Sequence, residues 1–300
     1  MLYGNQTAVL YKLNIAAITV SGQSRRIDMP ESRDNTLLRE GEFYSPVEAR
    51  LGTEDVLLSA LRQPCSRVVP RHQHELAYVT VVLQGDYLEG DRGKLEELSP
   101  FTAVFNPSGV QHATLIGPAG ASFFTIELRD ENIQRLSLRL PRQTGFDRGA
   151  GEMLWAGLRL YSAFKSQTAD ELLIDSYVLE LMGAIAGTAS GEKSAPWWLR
   201  RVKERLHEEF RDNLRITDLA CEAGVHPVHL ARVFRAYEKH TPGDYLQRLR
   251  VHAACSLLRD RDYPLALIAV ECGFADQSHL TRVFRKLTAS TPAQFRRAIS

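Results

Sequence analysis

The pattern of apolar and polar positions changes twice along the chain. From about Glu40 to Leu128 the apolar residues fall in short runs, VLLSALRQ, LAYVTVVLQGDYLE, TAVFNPSG and SFFTIELR, with Gly, Pro, Asp and Asn between them. Runs of this length, rich in Val, Thr, Phe and Tyr, predict a sandwich or small barrel of short strands. From Gly151 to Gly187 the period becomes helical. Leu154, Trp155, Leu158, Leu160 and Tyr161 share one stripe, and Leu172, Leu173, Tyr177, Leu179, Leu181 and Met182 form another. The break between them at Ser166-Gln167-Thr168 predicts an antiparallel pair, with Thr168 as N-cap and Glu171 completing a capping box. Thr188–Pro196 is small, polar and ends in proline, as a linker does. Trp197 onward is almost wholly helical.

The last 85 residues carry the same unit twice. Ala220 and Gly224 align with Ala269 and Gly273. The run His229, Leu230, Arg232, Val233, Phe234, Arg235 aligns with His279, Leu280, Arg282, Val283, Phe284, Arg285, and Thr241-Pro242 with Thr291-Pro292. Each copy predicts a helix-turn-helix. Thr217 is the expected cap of the first short helix, and Gly224 and Gly273 supply the turn. In the second helix of each copy, Leu230, Val233, Phe234 and Tyr237, or Leu280, Val283, Phe284 and Leu287, form a core stripe. That leaves Val228, Ala231, Arg232 and Arg235 outward in one copy, and Gln277, Ser278, Thr281, Arg282 and Arg285 in the other. Arg pairs bidentately with guanine and Gln with adenine, while Arg235 and Arg285, nearer the helix ends, suit phosphates. The segment Pro242–Leu258 predicts a helix that holds the two units apart, and successive major grooves on one DNA face lie roughly 34 Å apart. A bundle for protein contacts, with the arginines as a solvated face, is the competing reading. Two matching copies weigh against it.

Charge sharpens the division. Residues 195–300 hold 18 Lys/Arg and 12 Asp/Glu, a net of +6, against −5 for the rest of a chain whose total is +1. A basic end on an acidic body is expected where only that end meets nucleic acid. Cys65, Cys221, Cys255 and Cys272 lack metal-type spacing and read as free thiols, mostly buried. No segment has the length and apolarity of a membrane span or the flanks of a signal peptide, so a cytoplasmic location without membrane contact is expected. Met29-Pro30 reads as an alternative start.

On these residues, 195–298 resembles the DNA-binding domain of the AraC/XylS family of bacterial transcription regulators, and GFADQSHLTRVFRKLTASTPAQFR is similar to its signature region. The resemblance implies that the second helix of each unit enters a major groove. By position this assigns base reading to Val228, Ala231 and Arg232, and to Gln277, Ser278, Thr281 and Arg282. It also implies double-stranded DNA as partner, a small-molecule effector, a homodimer formed through the helical pair, and RNA polymerase if the protein activates.

The β region holds the other candidate chemistry. His72, His74, Leu76, Tyr78 and Thr80 share one parity, and Pro107-Ser108-Gly109-Val110-Gln111-His112 follows. This resembles the cupin pattern, matched at His72, His74, Gly85, Pro107, Gly109 and His112 but with Tyr78 where the pattern has an acid. Glu75 has the wrong parity to replace it. Three readings stay open: His72, His74, Tyr78 and His112 line an effector pocket without metal; His72, His74 and His112 bind a divalent metal; or the histidines are structural. No cofactor is certain. A metal-dependent cupin enzyme with an accessory helical domain is the alternative function. Methyl-transfer DNA repair is disfavoured for want of a cysteine cluster. The expected architecture is therefore α+β and multidomain: an N-terminal extension (1–39), a cupin-like β-barrel (40–146), a helical hairpin (147–187), a linker (188–196) and an all-α double helix-turn-helix domain (197–300).

Overall fold

The computed structural model describes residues 36–91, 94–166, 170–188 and 195–299. The expected start at Met29, the cap at Thr168, the extension up to residue 35 and the centre of the linker lie outside these residues. Nine strands form one curled sheet: β1 (Thr36–Leu38), β2 (Val47–Gly52), β3 (Val56–Gln63), β4 (Arg67–His74), β5 (Ala77–Asp91), β6 (Lys94–Leu98), β7 (Ala103–Asn106), β8 (His112–Leu128) and β9 (Gly145–Asp147). The long strands β5 and β8 pair from Ala77↔Leu128 to Gly90↔Ala113, with register shifts on either side of Gly85. Gly85 has φ +89° and lies against Gly120, φ +75°. The two glycines bend the ribbon, so β4 packs along one half of β8 and β3 along the other.

The histidine run differs from the single strand predicted. β4 ends at His74, Glu75 is exposed at the turn, and β5 begins at Ala77. His72 and His74 therefore face Tyr78 and Thr80 from a separate strand. β1 runs parallel to β4, Thr36↔His72 to Leu38↔His74, so the sheet begins a few residues ahead of the β-like pattern.

Along β5 the two faces have different neighbours. Tyr78, Thr80 and Tyr87 point into the curl, while Val79, Val81 and Leu83 point out against helices. Those helices are α2 (Glu152–Ser166) and α3 (Glu171–Thr188); a short helix that the patterning does not announce, α1 (Asp130–Arg135), precedes them. α2 sits so close to β5 that a Cβ on Gly157 would lie 2.7 Å from Val81 Cγ2. Asp147, on β9, starts α2 by accepting from the backbone N–H of Gly151 and Leu154, both at 2.9 Å. At α3 the carboxylate of Asp170 accepts from Leu172 N at 3.0 Å.

The remaining helices are α4 (Trp197–Glu208), α5 (Ile216–Glu222), α6 (Pro227–Glu238), α7 (Pro242–Leu257), α8 (Leu265–Glu271), α9 (Gln277–Thr288) and α10 (Pro292–Ile299). Thr217 is not a cap. The N-cap of α5 is Arg215, and the Thr217 hydroxyl bonds Asp218 instead. Thr241 does cap α7, its Oγ accepting from Asp244 N at 3.1 Å ahead of Pro242. Cys255 and Cys272 are buried, but Cys65 and Cys221 are exposed, so apolar neighbours in sequence overstated the burial of Cys221.

The two repeated units are held differently. The first has its own core of Trp198, Leu199, Leu219, Leu230, Phe234 and Tyr245, closed by α4. The second shares one continuous core with the sheet and with α2 and α3, through Ile268, Leu280, Phe284 and Phe295.

Candidate nucleic-acid interface and effector cavity

The second helix of each unit, α6 or α9, is built for exposure on one side. His226 caps α6 by accepting from Val228 N at 3.3 Å, with Pro227 at the first helical position; Asp276 caps α9 by accepting from His279 N at 2.7 Å. A side-chain acceptor at this position satisfies one of the first orphan N–H groups. Both helices end on left-handed residues, Lys239 (φ 66°) and Ala289 (φ 58°). Gly224 and Gly273 make the turns at φ +66° and +79°, and Gly273 also abuts the Arg211 backbone, where a Cβ would meet the carbonyl oxygen at 2.5 Å.

The core stripes fall where the period placed them. Leu230 and Phe234 are buried in α6 with Val233 and Tyr237 half-buried, and Leu280, Val283, Phe284 and Leu287 are all buried in α9. The outward set is outward. Val228 is 69% exposed, Arg232 and Arg235 are exposed, and Ala231 is half-buried. On α9, Gln277, Ser278, Arg282 and Arg285 are exposed, while Thr281 is half-buried and donates to Gln277 O at 2.8 Å. Gln277, Ser278, Thr281, Arg282 and Arg285 line one shallow depression with Lys286, which the sequence reasoning missed. His229 is a second omission: its Nδ1 lies 3.3 Å from Arg232 Nη2 on the exposed face.

Inside the curled sheet lies a cavity of about 60 Å³, lined by His72, His74, Tyr78 and His112 at one end and by apolar groups including Leu61, Ile116 and Phe123 at the other. The three imidazoles each offer a nitrogen within 4.8 Å of the others. Their rings are close, with centroids 4.2 Å apart for His72 and His112 and 5.2 Å for His72 and His74. Burial and the neighbouring histidine His112 depress the His72 pKa to about 4 and the His74 pKa to about 2, so both rings are neutral near pH 7. His72 Nδ1 donates to Pro70 O at 2.8 Å, which turns its Nε2 lone pair inward. His74 Nδ1 is buried without a hydrogen-bond partner.

Behind the histidines runs a polar network that motif reading missed. Asn106 donates to the Tyr78 hydroxyl at 3.0 Å and to Glu89 Oε1 at 2.6 Å, and Tyr87 donates to Glu89 Oε2. With its oxygen already accepting, Tyr78 donates its own proton to His112 Nε2, 3.0 Å away. Glu89 is only 1% exposed, yet its carboxylate is spent on this network rather than offered to the cavity. Its one sequence signal was an acid two residues from Tyr87 within a strand pattern, beside Asp86 and Asp91 that carry the same signal.

Residues 219–298 match a family described as a helix-turn-helix domain. The chain is 32% identical over 91 residues to the regulatory protein SoxS of Escherichia coli, covering 30% of this chain and 85% of that protein. It is 31% identical over 99 residues to the probable transcription factor PqrA of Proteus vulgaris, covering 33% of this chain and 77% of the relative. A longer match, 22% identical over 244 residues, spans 76% of this chain and 87% of the HTH-type transcriptional activator RhaR of Mannheimia succiniciproducens. The chain belongs to the AraC/XylS family of transcription regulators. Like its AraC/XylS relatives it is a DNA-binding regulator of transcription, not an enzyme, and the metal-enzyme alternative gains no support. Its curled sheet is cupin-like, and its paired helix-turn-helix units are the DNA-binding portion. Among the described residues no helix is long and apolar enough to cross a membrane.

Proposed function

We propose that this regulator reads a two-part DNA site with the exposed faces of α6 and α9 and changes that reading when a compact small molecule with one polar and one apolar end occupies the sheet cavity. The observation that carries the proposal is the pairing of two outward faces, Arg232 with Arg235 and Gln277 with Ser278, Thr281 and Arg282, on helices whose other sides are core. Arg232 and Arg282 suit base edges, and Arg235 and Arg285 suit phosphates. The faces differ: Val228 and Ala231 offer methyl groups where Gln277, Ser278 and Thr281 offer polar ones, so the second unit contributes more of the sequence discrimination. Such a reader works where the chromosome is, in the cytoplasm. α3 leaves Leu172, Leu173 and Leu179 exposed along one side, which supports its use in a homodimer, and a regulator that activates would also touch RNA polymerase. Selection of DNA from a random duplex library tests the reader. Arg282→Ala is expected to cost about 1–3 kcal/mol and to relax preference at one base pair only. A uniform loss over all positions would instead make Arg282 a phosphate contact.

The cavity wall fits an effector that donates hydrogen bonds to neutral imidazoles at one end and presents an apolar face to the other. A second reading rests on the donor set: three buried imidazoles converging within 4.8 Å suit a divalent cation held by His72, His74 and His112. Zinc–nitrogen bonds of about 2.0–2.1 Å require the rings to close inward and His112 Nε2 to release Tyr78. Such an ion would order the pocket and supply a charge for an anionic effector. Elemental analysis separates the readings. If a cation is resident, the protein carries about one equivalent, and chelation lowers the melting temperature of the wild type but not of His74→Ala. Metal-free protein that is indifferent to chelator leaves the small-molecule pocket alone.

A further inference from the structure

We propose that Arg159, a residue of the sensor portion, is a positioning residue for DNA reading: it caps the C-terminal end of the second reading helix and sets how that helix is presented beside the first. The proposal rests on the assignment of α9 as a DNA reader. Arg159 lies on α2, and its Nη1 donates to the Leu287 carbonyl at 3.1 Å. Leu287 is the second-to-last residue of α9, so this oxygen is one of the orphan acceptors at a helix end, where partial negative charge accumulates. A guanidinium there is favourable twice, as donor and as cation.

The guanidinium is itself fixed. Its Nη2 bonds Glu180 of α3 at 2.6 Å and Glu152 of α2 at 3.2 Å, and its carbon lies 5.9 Å from the Tyr177 ring centroid. The Arg159 side chain is 11% exposed. Two carboxylates balance the charge and aim the fork, which a flexible surface arginine lacks. Further bonds tie the DNA-binding portion to the sensor portion: Tyr161 OH donates to Ala298 O at 2.5 Å, Ser162 Oγ to Ser290 Oγ at 3.2 Å, and Arg248 of the connecting helix α7 pairs with Glu152 at 2.5 Å. Of these bonds, only that of Arg159 is made to the reading helix itself. The first unit packs α6 into a core of its own, against which Ala150 also packs.

Leverage gives the bond its consequence. Leu287 and Gln277 are ten residues apart, about 15 Å along the axis at 1.5 Å per residue. A tilt of roughly 10° about Leu287 then moves the first turn of α9 by about 2–3 Å, comparable with one base step of about 3.4 Å. Contacts at Gln277, Ser278 and Thr281 are therefore more sensitive to Arg159 than is the stability of the fold. The clamp also stands one strand from the cavity. α2 presses Gly157 on Val81, and Val81 alternates along β5 with Thr80, which lines the pocket.

The test uses the full chain. Sites are selected from a random duplex library, and affinity is then measured for the selected site and for versions with one base pair added or removed between its halves. Wild-type protein is expected to lose about tenfold or more for either change. Arg159→Ala is expected to lose less than about threefold, with weakened sequence preference in the α9 half and unchanged preference in the α6 half. Arg159→Lys, which keeps a cationic donor, is expected to recover part of the spacing penalty. An Arg159→Ala protein that unfolds cooperatively and keeps the wild-type penalty and site overturns the proposal. If Arg159→Ala does not fold, Glu180→Gln weakens the same clamp from its exposed side; a smaller shift in the same direction supports positioning, and none overturns it. A wild-type chain that selects no sequence removes the DNA-reading assignment itself, and this proposal with it.

Discussion

Raising the salt concentration from 50 to 200 mM is expected to weaken binding of the 300-residue chain to its selected site by about a thousandfold. The expectation follows from charge placement rather than from net charge, which is only +1. Each neutralised phosphate releases condensed counterions and contributes about −0.9 to the slope of log affinity against log salt. The two reading helices expose Arg232, Arg235, Arg282, Arg285 and Lys286, and other cations flank them. Six phosphate contacts give a slope near −5, and a fourfold rise in salt then costs on the order of 10³ in affinity. The measurement is a titration of labelled duplex by fluorescence anisotropy at four or five salt concentrations. A slope about half as steep would mean that one unit engages and the other does not. A flat line would remove the double reader altogether. Arg235→Ala and Arg285→Ala should each flatten the slope by about 1 and leave sequence preference intact, whereas Arg282→Ala should do the reverse.

What the sequence made legible was set by period. The stripes Leu230/Phe234 and Leu280/Phe284 recur at helical spacing, so the buried and outward faces of α6 and α9 follow from the chain alone. The histidines were legible as residues but not as geometry. Alternation alone runs through Glu75-Leu76, where the chain in fact turns, and His72 and His74 reach Tyr78 from a separate strand. α1 is too short, at six residues, for a periodic signal to form. Glu89 and Asn106 were missed because neither belongs to a motif. Both are buried only because β5, β7 and β8 bring them together with Tyr78 and Tyr87. The linker-like segment Thr188–Pro196 marked a boundary between two domains. In the structure the second unit completes the core of the sheet and the helical pair, through contacts such as Phe101 with Phe295 and Tyr161 with Ala298 that lie far apart in sequence. No local pattern encodes such pairs; they need the tertiary arrangement.

Gly85→Ala is expected to be among the most destabilising single-methyl changes in the protein, by about 2–5 kcal/mol. Gly85 sits at φ +89°, and a Cβ there would lie 2.0 Å from the Gly120 carbonyl oxygen and 2.7 Å from Ala121 Cα. Both obstacles are backbone, so no side-chain rotation relieves them. A left-handed φ costs a non-glycine residue about 1–2 kcal/mol, and forcing atoms into a packed site costs about 1–3 kcal/mol more. Against a typical stability of about 5–15 kcal/mol that is a large share, and a fall in melting temperature of about 10 °C follows for a chain of this size. Two glycines separate the contributions. Gly109, at φ +72° with nothing within 4 Å of an added methyl, should lose only the conformational part. Gly183, on α3 with open space and no positive φ, should gain about 0.5–1 kcal/mol as alanine. Thermal unfolding of the three variants, followed by circular dichroism, ranks them. If Gly85→Ala melts with Gly109→Ala, the contact with Gly120 is not what shapes the strand. If it melts well below, effector binding should fall with it, because the bend at Gly85 lets β5 place Tyr78 and Thr80 on one side and Tyr87 on the other of a single cavity.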